Sequence, residues 1–237
     1  MPFDGPQAGP VARGPHRPAP ATRFLVQASN LGPPQLPIRV RPRVWTDVAR
    51  IFSTVCNPFL TSLALFVILS SARSHTTTDF WVLLFNSAFF TSFGPMLYIF
   101  FLYATDRISD LDMSIRDERQ KVFGAFVIFY FLGTIDLALI HAPTIMIATM
   151  AAFAASSLLV QWITMYWKIS THAIGITAPL IALTYLFGRE PLPFFVLIPI
   201  VGWARVYVKA HTPLQVVAGT ALGAVSTILF FAVFHIA

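Results

Sequence analysis

The chain has one cysteine, Cys56, so it forms no internal disulfide, and the position of Cys56 inside an apolar run marks it as a small packing residue. Charge is scarce as well: Asp, Glu, Lys and Arg make up 11% of the 237 residues, against about 25% in an ordinary soluble domain. No strand-like alternation of apolar and polar residues occurs, and no repeat of about 20 to 50 residues runs through the chain. Metal-ligand spacing is missing too, because Asp110 and Asp112 lack His or Cys company and His16, His75 and His235 stand apart. These shortages exclude a disulfide-stapled scaffold and a strand-built fold.

What the chain does contain is apolar surface. Hydrophobic residues make up 56% of it, with 23 phenylalanines, more than a water-soluble chain of this size can bury. From about residue 51 the apolar runs approach the length of about 20 residues that a helix needs to cross a bilayer. They are Ile51–Ser71, Phe80–Ala104, Val122–Ile140, Pro143–Trp167, Ala173–Gly188, Leu192–Val208 and Leu214–Ala237. The expected fold is all-α, a polytopic transmembrane helical bundle of about six to seven spans. The fifth and sixth runs are short for a span.

Residues 1–45 hold ten of the 18 prolines together with Arg13, Arg17, Arg23, Arg39, Arg41 and Arg43. They are expected to form a disordered basic tail, retained in the mature protein, ahead of a membrane-embedded domain over 46–237. The net charge of +6 does not point to nucleic acid, because the basic residues fall in the tail and in short loops between apolar runs. Their distribution reads as topology. With seven spans the tail and the loops after spans two, four and six share one face. That face carries Arg107, Arg116, Arg119, Lys121, Lys168 and Lys209, while the other has little more than Arg73 and Arg189. The positive-inside rule places the tail and these loops in the cytoplasm and the C-terminus outside.

The same three loops hold the informative polar residues: Asp106–Lys121, Lys168–His172 and Arg205–Gln215. Two histidines converging with several Arg and Lys residues at one membrane face suit a phosphoryl group. Arg offers a planar fork of donors, Lys a point charge, and the start of span five adds free backbone N–H groups. One imidazole has the chemistry to attack phosphorus and the other to protonate the leaving oxygen. Interfacial residues at helix ends are the ordinary alternative.

The pattern resembles the type 2 phosphatidic acid phosphatase family, relatives of the vanadium haloperoxidases, whose motifs are Lys-x6-Arg-Pro, Pro-Ser-Gly-His and Ser-Arg-x5-His-x3-Asp. Arg205 and His211 have the spacing of the third motif, and Pro213, Ala218-Gly219 and Gly223 resemble its continuation. Ser170-Thr171-His172 matches the second motif, with Thr for Gly and Ile169 for Pro. In the first, Arg119 aligns, while Asp112 stands for Lys and Gln120 for Pro. The resemblance implies that His211 is the nucleophile, forming a phosphohistidine, and His172 the acid. Arg205, Arg119 and the Ser170 hydroxyl would hold the phosphoryl oxygens, and the chemistry needs neither metal nor cofactor. Lys168 or Arg116 would stand in for the first-motif Lys by charge and proximity in sequence.

Gln215 occupies the place of the third-motif Asp that orients the nucleophilic His. Its carbonyl accepts a hydrogen bond but brings no charge, and an Asp-to-amide change in the analogous role of a serine protease costs about 10⁴ in kcat. Asp110 and Asp112 are the nearby acids that would compensate. The expected activity is hydrolysis of a lipid phosphomonoester or diphosphate, phosphatidate-like or polyprenyl, with the phosphorylated lipid and the bilayer as partners. The alternative is a weak or inactive relative that binds anionic lipid or scaffolds the membrane. Asp136 inside the third run is either a functional carboxylate or one near the wet outer end of its span. Gly219 and Gly223 are expected to let helices pack closely within the bundle. No segment specifies an oligomeric state.

Overall fold

The computed structural model describes residues 43–109 and 116–236. The expected tail therefore lies outside them except for its last three residues, as do Asp110 and Asp112. Among the described residues every regular element is helical.

The first apolar run is two helices, α1 (Arg43–Val55) and α2 (Pro58–Arg73), bent by 48°. The expected span over Ile51–Ser71 is thus broken by a bend, and the residues at the break explain why. The Asn57 side chain accepts the Phe59 N–H at 2.8 Å, and Pro58 fills the first helical position, where a missing N–H costs nothing. A new helix starts there. α1 is strongly amphipathic, with Arg43, Asp47 and Arg50 on one side and apolar residues on the other. It packs on α8 (Leu197–Tyr207), where Trp45 and Trp203 meet edge to face with ring centroids 6.1 Å apart.

The second run is continuous over Thr77–Ala104: α3 (Thr77–Ala88), a π-helical turn (Phe89–Phe93) and α4 (Gly94–Ala104). Pro95 has no N–H to give the preceding turn, which widens there. The third, fourth and seventh runs become α5 (Arg116–Leu139), α6 (Thr144–Thr164) and α9 (Pro213–Val233). The fifth is α7 (Thr171–Phe187), closed by Gly188 at φ 68°, a left-handed conformation that Gly adopts without strain. The sixth is a 3-10 turn (Leu192–Val196) followed by α8. Four helices are long and apolar enough to cross a membrane, or five with the bent pair taken as one, and α7 and the Leu192–Tyr207 segment are shorter. Phe85, Leu97, Phe131, Leu158 and Leu229 turn large apolar side chains outward, which in water would be a liability and in lipid is a lining. The helices fit an integral membrane protein.

Inside the bundle α5 packs along α6, and α9 lies between α6 and α7. A Cβ added at Gly219 would meet the Ser170 carbonyl oxygen at 2.4 Å, and one at Gly223 would meet the Ile174 carbonyl at 3.0 Å. The two glycines let α9 seat directly on the first turns of α7, as expected of close packing within the bundle. Asp136 is half-buried three residues before the end of α5, at the opposite end of that helix from Arg119.

Candidate functional site

The turn between α8 and α9 fixes the spacing of Arg205 and His211. Lys209 adopts a left-handed φ of 60°, which ends α8 and folds the chain back. The Arg205 carbonyl then accepts the N–H groups of Ala210 at 3.0 Å and His211 at 3.3 Å. Five intervening residues are what this closure requires, so the guanidinium and the imidazole leave the turn with a set relation. On the far side, α9 begins with a capping box. Thr212 Oγ1 accepts the Gln215 N–H at 3.3 Å, and Gln215 Oε1 accepts the Thr212 N–H at 3.0 Å.

That second bond settles the chemistry of His211. Because Oε1 faces the Thr212 N–H, Gln215 presents an acceptor, and His211 Nδ1 lies 3.3 Å from the same oxygen. Nδ1 must therefore be the protonated nitrogen, leaving a lone pair on Nε2. Burial and the charges of Lys168 and Arg205, with a smaller contribution from Arg119, lower the His211 pKa to about 4, against the upward pull of its bond to Gln215. The imidazole is a neutral base at neutral pH.

α7 brings the second histidine. Ser170 Oγ caps the helix by accepting the Ala173 N–H at 3.4 Å, and its own N–H donates to the Gln215 carbonyl at 3.2 Å. This backbone bond ties the start of α7 to the start of α9 and puts His172 in the first turn. His172 Nδ1 is buried and makes no hydrogen bond among the described residues.

His172, His211, Arg119, Lys168 and Arg205 line one cavity of about 300 Å³. The polar loops expected to share a face thus converge through the first turn of α5, the α6–α7 connection and the α8–α9 turn. Two of the expected site residues lie behind this lining. Ser170 is fully buried as the cap of α7, and Gln215 stands behind His211. Arg116 opens α5 about one turn before Arg119, and its side chain is outside the described residues.

The break between α1 and α2 supplies residues that motif reading missed. Ser53, Thr54 and Asn57 line the same cavity, and the Ser53 hydroxyl accepts a hydrogen bond from Arg205 Nη1 across 152 positions of sequence. The Asn57-Pro58 pair was the available signal, since a capping residue followed by Pro inside an apolar run marks a helix start. Below its charged end the cavity continues between Phe59, Phe123, Phe126, Tyr130 and Phe153.

Two histidines, three cations and a helix N-terminus at the mouth of an apolar shaft are equipped to hold a phosphoryl group and transfer it to an imidazole. No curated protein and no solved structure matches the chain significantly. The family model of the PAP2 superfamily, a family generally of phosphatases, matches residues 149–237. The matched residues include His172, Arg205 and His211 and leave out Arg119 and Ser53. The match is confined to residues 149–237, and with the motifs it contains it supports membership of the type 2 phosphatidic acid phosphatase superfamily.

Proposed function

We propose that the protein hydrolyses a phosphomonoester or diphosphate on a lipid that enters from the cytoplasmic leaflet. The observation that carries this reading is the cavity, with both histidines and three cations at one end and an aromatic shaft beyond them. Arg119, Lys168 and Arg205 hold the phosphoryl oxygens. His211 Nε2 attacks phosphorus as the bond to the leaving oxygen breaks, and His172 donates a proton to that oxygen. The bound anion favours the protonated form of His172 that this step needs. Water then attacks the phosphohistidine, His172 takes its proton, and inorganic phosphate leaves. Gln215 holds the His211 ring in the attacking tautomer throughout. The basic tail, facing the cytoplasm, adds attraction to anionic lipid.

The test is release of inorganic phosphate from phosphatidate and from a polyprenyl diphosphate by purified protein in detergent, with His211→Ala abolishing it. Equal release by the wild type and the variant overturns the assignment. Gln215 favours a second reading, in which the same cation cluster binds an anionic headgroup without turnover, because an amide does not stabilise the imidazolium that forms.

A further inference from the structure

A row of hydroxyls inside the apolar shaft has no part in the chemistry just described. Ser62 on α2 and Ser157 on α6 both line the cavity. Ser62 is 4% exposed, and neither hydroxyl makes a hydrogen bond among the described residues. In a helix a serine ordinarily satisfies itself on the carbonyl one turn back, as Ser87 and Thr149 do here. Ser62 and Ser157 do not.

Their depth can be worked out along two separate helices. Gly175, one turn past His172, touches Pro58 so closely that a Cβ there would stand 3.0 Å from the Pro58 Cα. Ser62 is one turn further down α2, which puts it about 10 Å below His172 at 1.5 Å per residue. On α6, Ser157 is seven residues from Thr164 at the charged end, again about 10 Å by the same rise. Each donor thus lines the cavity about 10 Å in from a residue at its charged end, on two different helices. The walls around them are aromatic, with Phe59 and Phe126 in edge-to-face contact at 5.6 Å. Beyond that depth the shaft ends against Tyr130 and Phe153, whose rings lie 6.0 Å apart.

Resting on the reading of this cavity as a lipid phosphate site, we infer that Ser62 and Ser157 form a second subsite that donates hydrogen bonds to the carbonyl groups joining acyl chains to the lipid backbone. With the phosphoryl group at the charged end, the next few bonds of a glycerolipid carry its ester carbonyls to the depth of the two serines. A polyprenyl chain is hydrocarbon from its first carbon and leaves both donors unanswered. A polar group in such surroundings discriminates by the cost of being left unpaired, so the serines select acyl-linked phospholipids.

The experiment compares diacyl phosphatidate, its dialkyl ether analogue and a polyprenyl monophosphate, with wild type, Ser62→Ala and Ser62→Ala/Ser157→Ala in detergent. Phosphate release gives kcat/KM, and displacement of a fluorescent diacyl phosphatidate gives relative affinity. The wild type is expected to prefer the diacyl over the dialkyl lipid by about tenfold, the worth of one or two neutral hydrogen bonds. In the double variant that ratio falls to near one through a rise in KM, and the single variant lies between. Equal handling of the two lipids by the wild type, preference for the polyprenyl lipid, or a preference that survives both substitutions overturns the inference. If no lipid releases phosphate, the hydrolytic reading fails by itself, and the displacement ratios decide the subsite on the same criteria.

Discussion

The chain builds the same N-terminal capping box twice. At α3, Thr76 Oγ1 and the Asp79 carboxylate exchange bonds with each other's backbone N–H at 3.1 Å each. At α9, Thr212 and Gln215 do the same, but the Gln215 oxygen also takes the His211 ring, and the Gln215 carbonyl takes the Ser170 N–H. Asp79 caps a helix and does nothing else in the described structure. Gln215 caps a helix, sets a tautomer and joins two loops of the site. One local device thus becomes chemical when a neighbouring helix end arrives beside it.

The strongest way to press this comparison is to give the second box the acid of the first. Asp79 shows that a carboxylate at this helical position reaches the capping N–H, so Gln215→Asp should keep the cap while adding a charge beside His211. Turnover is expected to rise, by up to about 10⁴-fold if the charge has the worth it has in serine proteases. The kcat for phosphate release measures it, and absence of turnover in both forms favours the binding reading. Gly219→Ala attacks the junction instead. Its new Cβ would sit 2.4 Å from the Ser170 carbonyl oxygen, and overpacking against backbone costs about 1–3 kcal/mol. Thermal unfolding in detergent should register that loss, together with a fall in activity as His172 shifts.

The state of His211 sharpens the contrast further. With no anion added, its imidazole should stay neutral as pH falls through 6.5 and take its proton at about 4. Ring-proton NMR shifts against pH follow this directly, and Gln215→Asp should move the midpoint upward, since a carboxylate favours imidazolium. A wild-type midpoint near 6.5 would mean that the cations do not surround the ring. The smallest effects come from the caps themselves. Thr76→Ala and Thr212→Ala should each cost about 1 kcal/mol of stability. Only Thr212→Ala should also lower turnover, because it releases the residue that orients His211.

Much of this was readable in the chain. The third motif could be read because its geometry is local: a left-handed Lys209 and two backbone bonds to one carbonyl require the five-residue gap between Arg205 and His211. The Asn57-Pro58 break is equally local, but an apolar run of spanning length masks it. Ser53 could not be found that way. Its partner Arg205 lies 152 positions on, and nothing in the neighbourhood of a serine announces such a pairing. Ser62 and Ser157 were hidden for the same reason, since a serine in an apolar helix normally bonds its own backbone.

The membrane character and the helical class were determined by the sequence alone. Apolar runs of near-bilayer length leave the backbone no other way to satisfy its polar groups. Residue types suited to a phosphoryl group were also present in the sequence, on loops that the expected seven spans assign to one face. Which of those residues line a cavity, that Gln215 stands behind His211, and that α1 closes the site through Ser53 were decided only by tertiary structure. Those relations depend on the seating of α9 on α7 at Gly219 and on the angle between α1 and α2, and side chains brought together across helices leave no periodicity along the chain.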